Sequence, residues 1–181
     1  MSHTDKFNGT WNLGIIPDDY IKIMKVLGYN TLERKWFKNT KTLVKSTLEG
    51  DKLTLEIKGR AFNKIKEYYL NKTPIEYNDD DGNPIMEISK WKDEKTIQIK
   101  SIFLTQNVTM IDTREMLNDD ECKLSITMLH QEDDHPIEVE MILTRVPSNP
   151  EIKEKEIKEI KVDESSDDNS DGLDNDEDDS E

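Results

Sequence analysis

From Thr42 to Val146 the chain is a succession of nine short runs in which apolar and polar residues alternate, separated by glycine and acidic turns. Alternation at period two sends successive side chains to opposite faces, so each run is expected to be a strand with one buried side. The runs are Thr42 to Leu48, Lys52 to Lys58, Asn63 to Leu70, Ile75 to Tyr77, Ile85 to Lys92, Lys95 to Phe103, Val108 to Met116, Cys122 to Leu129 and Pro136 to Val146. Glu49-Gly50-Asp51 and Asp93-Glu94 are connections of hairpin length, which makes the series an antiparallel meander.

A tenth strand precedes the series. Phe7, Trp11, Leu13 and Ile15 alternate with Asn8, Thr10 and Asn12, which predicts one buried face with Trp11 pointing inward. Between this strand and Thr42 the period changes. Asp18 is a suitable N-cap after a turn at Pro17, Tyr20, Ile21, Ile23, Met24 and Leu27 recur at helical spacing, and Gly28 fits the C-cap. Asn30 with Glu33 three residues on reads as a capping box opening a second helix through about Phe37. Ten strands joined by successive hairpins leave two long edges unless the sheet curls closed. The expected fold is all-β: a ten-stranded antiparallel up-and-down barrel with a two-helix lid.

The ends of this region carry a resemblance. Phe7-Asn8-Gly9-Thr10-Trp11, then Asp18-Asp19-Tyr20 on a helix ending Leu27-Gly28, and finally Leu143-Thr144-Arg145-Val146 together resemble the intracellular fatty-acid-binding protein family. The resemblance covers roughly residues 5 to 147. It implies a calycin-type lipid-binding barrel whose cavity arginines hold a fatty-acid carboxylate.

Composition bounds the rest. The 181 residues are 33% hydrophobic and 36% charged, with a net charge of −15, which suits one domain and not two cores. Residues 163–181 hold eleven acidic side chains and no basic one, so they supply −11 of that charge. Residues 151–162 balance four Glu against four Lys. The expected organisation is therefore a barrel over 1–147, a charged Glu/Lys linker over 148–162 and a disordered acidic tail over 163–181. No apolar run approaches a membrane span, the first residues lack the basic and apolar parts of a leader, and the single Cys122 can form no intrachain disulfide. These point to a reducing, cytoplasmic setting.

Strand parity singles out two arginines. Ile137, Val139, Met141 and Leu143 share a face with Arg145, while Val108, Met110 and Met116 share one with Asp112 and Arg114. An inward guanidinium costs several kcal/mol, by order of magnitude, unless something pairs with it. A fatty-acid carboxylate matches the donor fork of arginine. In the resembled family, two inward arginines and a tyrosine two residues beyond the second hold that group; Arg114 and Arg145 match the arginines, and Pro147 stands at the tyrosine's place. Two structural alternatives stand beside this one: Arg145 covering Trp11 at the barrel base, and Arg114 pairing with Asp112.

The helical segment 20–41 carries Lys22, Lys25, Arg34, Lys35, Lys38 and Lys41 against Glu33 alone, a net +5. A basic lid of this kind suits anionic ligands and transient contact with anionic membranes; a merely solvated helix face is the other reading. Catalysis has little to work with. His3, His130 and His135 lie outside metal-ligand spacing, Cys122 has no nearby His, and no phosphate loop occurs. No cofactor or metal is expected, nucleic acid is a poor match for the acidic tail, and the chain is expected to be a monomer. The sequence thus leads to non-enzymatic binding and transport of a long-chain fatty acid or similar anionic lipid, with a protein-interaction or chaperone-like module using the tail as the rival.

Overall fold

The computed structural model describes residues 3–59, 62–70, 74–79, 82–131 and 135–147. The chain divides between Pro147 and Ser148, and the expectations for the linker 148–162 and the tail 163–181 lie outside the described residues.

A short 3-10 turn over His3–Phe7 leads into β1 (Gly9–Asn12), then the helices α1 (Asp18–Val26) and α2 (Thr31–Asn39). The meander follows as β2 (Leu43–Glu49), β3 (Lys52–Lys58), β4 (Asn63–Tyr69), β5 (Ile75–Asn78) and β6 (Pro84–Asp93), then β7 (Thr96–Phe103), β8 (Val108–Met116), β9 (Glu121–His130) and β10 (Ile137–Arg145). All ten lie in one sheet in the order β4-β3-β2-β1-β10-β9-β8-β7-β6-β5. Hydrogen-bonded neighbours are consecutive in sequence except at the centre, where the first and last strands pair through Trp11 opposite Arg145 and Asn12 opposite Thr144.

The outer strands β4 and β5 share no ladder. The curl is completed at one end by a single bridge from Leu70 to Ser89 of β6. β5 is only four residues long and exposed throughout, and β4 places Lys64 and Lys66 along its edge, which discourages pairing with another chain. Inward residues from neighbouring strands form layers: Ile99, Asp112, Ile126 and Val139 lie side by side, and so do Ile97, Arg114, Leu124 and Met141.

The first strand stops earlier than its sequence pattern implies. Gly14 takes φ +69°, its N–H donating to Asn12 Oδ1 at 3.2 Å, and the turn breaks the alternation. Ile15, expected on the inner face, is 93% exposed, and Ile16 is buried in its stead.

The lid also departs in one detail. Pro17, not Asp18, occupies the N-cap of α1, with no side-chain cap bond; the Asp18 carboxylate reaches across to Lys38 on α2 at 2.5 Å. At the other end Gly28, with φ +88°, lets the N–H of Tyr29 return to the Met24 carbonyl and its own N–H to that of Lys25, the double bond of a Schellman cap. Asn30 and Glu33 cap α2 reciprocally, at 2.9 and 2.8 Å. α1 buries Ile23 and Met24, whereas no residue of α2 is buried. α2 is held by aromatic stacking: Phe37 lies 5.5 Å from Tyr20 of α1 and 5.0 Å from Phe62 before β4, ring centre to ring centre.

Candidate functional site

Period-two geometry carries Arg114 and Asp112 of β8 onto the inner face among apolar neighbours. Their side chains are only 10% and 13% exposed, and Arg114 Nη2 donates to Asp112 Oδ2 at 3.0 Å. Burial works against the charge of Arg114, but the Asp112 carboxylate, with smaller contributions from Tyr68 and Cys122, outweighs it and holds the guanidinium above its ordinary pKa. One atom of each partner is left over. Arg114 Nε and Asp112 Oδ1 are buried with no hydrogen-bond partner among the described residues, a costly state for a polar atom. Arg114 lines a void of about 10 Å³ together with Phe7, Trp11, Ser46, Cys122 and Leu143, the space of about one water molecule.

A second polar group faces the same interior and was not singled out from the sequence. Glu87 on β6 is buried, accepts from the Tyr77 hydroxyl at 3.0 Å, and has Ser89 Oγ at 3.5 Å. Burial pushes its carboxyl pKa up, while the Tyr77 hydroxyl, the charge of Lys66 and the Ser89 hydroxyl pull the other way. The signal was available, since Glu87 and Ser89 alternate in step with buried Ile85. Burial likewise raises the Tyr68 hydroxyl, with Asp112 adding to it, and pushes the Cys122 thiol up to about 11.

Arg145 has a different place. Its guanidinium lies 4.2 Å over the Trp11 ring, and its donors go to main-chain carbonyls: Nε to Asp119 at 2.5 Å, Nη1 to Asn8 at 2.6 Å and Nη2 to Lys6 at 2.7 Å. The fork expected to meet a carboxylate instead ties β10 to the 3-10 turn, the start of β1 and the β8–β9 connection. In this structure Arg114 pairs with Asp112, whereas every nitrogen of Arg145 donates to backbone. Trp11 is 3% exposed beneath it.

The basic residues of the lid divide in two. Lys22 pairs with Asp19 at 2.6 Å and Lys38 with Asp18, while Arg34 donates to the Tyr29 carbonyl and to Thr31 Oγ1. Counting Asp18 and Asp19 lowers the helical segment from +5 to +3. Lys25 and Lys35 make no ion pair among the described residues. On α2, which carries Lys35, Leu32 and Trp36 are 53% and 38% exposed at a spacing of one helical turn.

Among the described residues no three of His, Cys, Asp and Glu are grouped to hold a metal ion, and no helix is long and apolar enough to cross a membrane.

A curled ten-stranded antiparallel sheet with two helices between its first two strands is the fold of the lipid-binding barrels. No family model and no curated protein matches the chain, but solved structures do. A fatty acid binding protein of Schistosoma mansoni in complex with arachidonic acid superposes at TM-score 0.62 and 16% identity, covering 80% of this chain and 99% of its own. Fatty-acid-binding protein 1 of Echinococcus granulosus gives 0.62 at 16%, over 79% and 99%. The apo form of Caenorhabditis elegans lipid binding protein 8 gives 0.62 at 13%, over 78% and 96%. The chain thus has the fatty-acid-binding-protein fold, as its opening and closing motifs imply.

Proposed function

We propose that the barrel binds one long-chain amphiphile, a fatty acid or a related lipid, and carries it inside an intracellular compartment as a monomer without covalent chemistry. The observation that carries this reading is the Arg114–Asp112 pair, held on an apolar inner face with a donor and an acceptor unmet. Such a pair is a poor source of stability but a means of orienting a polar head, while the aliphatic chain supplies affinity at about 0.8 kcal/mol per methylene removed from water. Met110, Met116, Met128 and Met141 share the inward faces of β8, β9 and β10. Their unbranched side chains can re-pack around an aliphatic chain.

Delivery is assigned to the lid. Lys25 and Lys35 supply attraction to anionic headgroups, and the exposed Leu32 and Trp36 supply apolar contact. Transfer from protein to vesicles should then speed up with anionic lipid and slow with salt.

Binding is tested by titrating delipidated protein with a fluorescent long-chain probe and displacing it with chains of increasing length. Saturable one-to-one binding that tightens roughly fourfold per methylene is expected from that transfer free energy. The absence of saturable binding for every chain length overturns the reading.

A further inference from the structure

The interior that faces Arg114 carries no net positive charge. Arg114 is matched by Asp112 at 3.0 Å, and the buried Glu87 adds a second carboxyl group, whereas Lys66, whose charge reaches Glu87, is exposed on β4. The other titratable groups turned toward this space are Tyr68, Tyr77, Tyr20 and Cys122, all neutral below the alkaline range. A carboxylate entering here meets no net positive field and comes close to two carboxyl groups, an arrangement that like-charge repulsion disfavours.

The unmet atoms are also informative. Arg114 Nε is a donor and Asp112 Oδ1 is an acceptor. A carboxylate can only accept, so it can satisfy the first and must leave the second orphaned. A hydroxyl or a primary amide both donates and accepts. Pulling Asp112 off Arg114 to make way for an anion would strand a buried carboxylate, which costs more than the hydrogen bond it replaces.

We infer that the polar head recognised beside Arg114 and Asp112 is an uncharged group that both donates and accepts a hydrogen bond, such as the hydroxyl of a long-chain alcohol or the amide of a fatty amide, in preference to an ionised carboxylate. This rests on the binding reading above and names the ligand class within it.

The test displaces an apolar fluorescent probe from the delipidated full chain at pH 8 with three ligands of equal chain length: dodecanoate, dodecan-1-ol and dodecanamide. The alcohol and the amide should bind at least tenfold more tightly than the carboxylate. Asp112→Asn should then tighten dodecanoate about tenfold or more while shifting the alcohol less than threefold, because it unbalances the interior toward Arg114. A wild-type protein that prefers dodecanoate to both neutral ligands overturns the inference and leaves lipid binding intact. Failure of all three to displace the probe overturns both. The wild-type comparison stands whether or not Asp112→Asn folds. The double variant Asp112→Asn with Arg114→Gln, which strands no charge, should lower the affinity for dodecan-1-ol by less than tenfold. Loss of the neutral preference in that variant also counts against the inference.

Discussion

The backbone of Gly9 lies so close against the guanidinium of Arg145 that a Cβ on residue 9 would collide with Nη1. This accounts for the glycine in the Gly9-Thr10-Trp11 opening: the arginine covers the indole ring and bonds the Asn8 carbonyl across the space a side chain would fill. Gly9→Ala should therefore force Arg145 away from Trp11 and destabilise the fold. A red-shifted tryptophan emission and a lower urea midpoint are the expected signs.

Arg145→Ala removes three charge-assisted bonds to carbonyls, which in sum should lower stability by roughly 3 kcal/mol or more. Its effect on ligand affinity, measured at a urea-free temperature well below the melting point, should stay within threefold. A loss of binding that exceeds the loss of stability would return Arg145 to the ligand site.

Breaking the internal ion pair on one side only should be severe. Arg114→Leu leaves Asp112 buried without a partner and is expected to cost about 3–5 kcal/mol in urea unfolding. The double change of Arg114→Leu with Asp112→Leu should recover most of that, and a double-mutant cycle measures the coupling.

Glu87 makes stability depend on pH. Its folded pKa lies above the ordinary value of 4.5 because of burial, so the native state keeps its proton to higher pH than the unfolded chain does. The associated stability is present below about 4.5 and is lost as pH rises through the folded value. Glu87→Gln should therefore match wild type near pH 4 and exceed it at pH 8, with the Tyr77 hydroxyl still able to donate to the amide oxygen.

The cap on α2 gives a local handle on the lid. Asn30→Ala removes the side-chain acceptor of the Glu33 N–H, a loss of about 1 kcal/mol. α2 buries none of its own residues, so the loss should show as faster amide exchange in Thr31–Asn39, with the strands unchanged.

The strands of the meander were legible because their period and turns agree: Lys52–Lys58 and Val108–Met116 fall where alternation places them, and the other strands after α2 differ by one or two residues at their ends. The capping box at Asn30 was equally plain, since three-residue spacing is all it requires. What alternation could not show was the end of β1. Only the positive φ at Gly14 moves Ile15 outward, and a glycine in a run does not declare its dihedral angle. Parity put Arg114 and Arg145 on inner faces but says nothing of height along the barrel. Height separates their surroundings: Arg145 ends its strand beside loop carbonyls, while Arg114 lies between Met110 and Met116 on its own inner face, next to an acid. Glu87 was overlooked because an acidic residue in a strand otherwise reads as the solvent side.

The pairing of β1 with β10 stands at the middle of the sheet order, with four strands on one side and six on the other. The two groups are built from neighbouring hairpins, apart from β1, which joins β2 through the two helices, and they can assemble early, but neither has its central partner until residues 137 apart in the chain, Asn8 and Arg145, come together. Bridging so long a loop is an entropic toll taken before any reward, which marks this seam as a slow, late event in folding. Until it forms, β1 is an open edge, and the Arg145 clasp is the latch that ends the exposure.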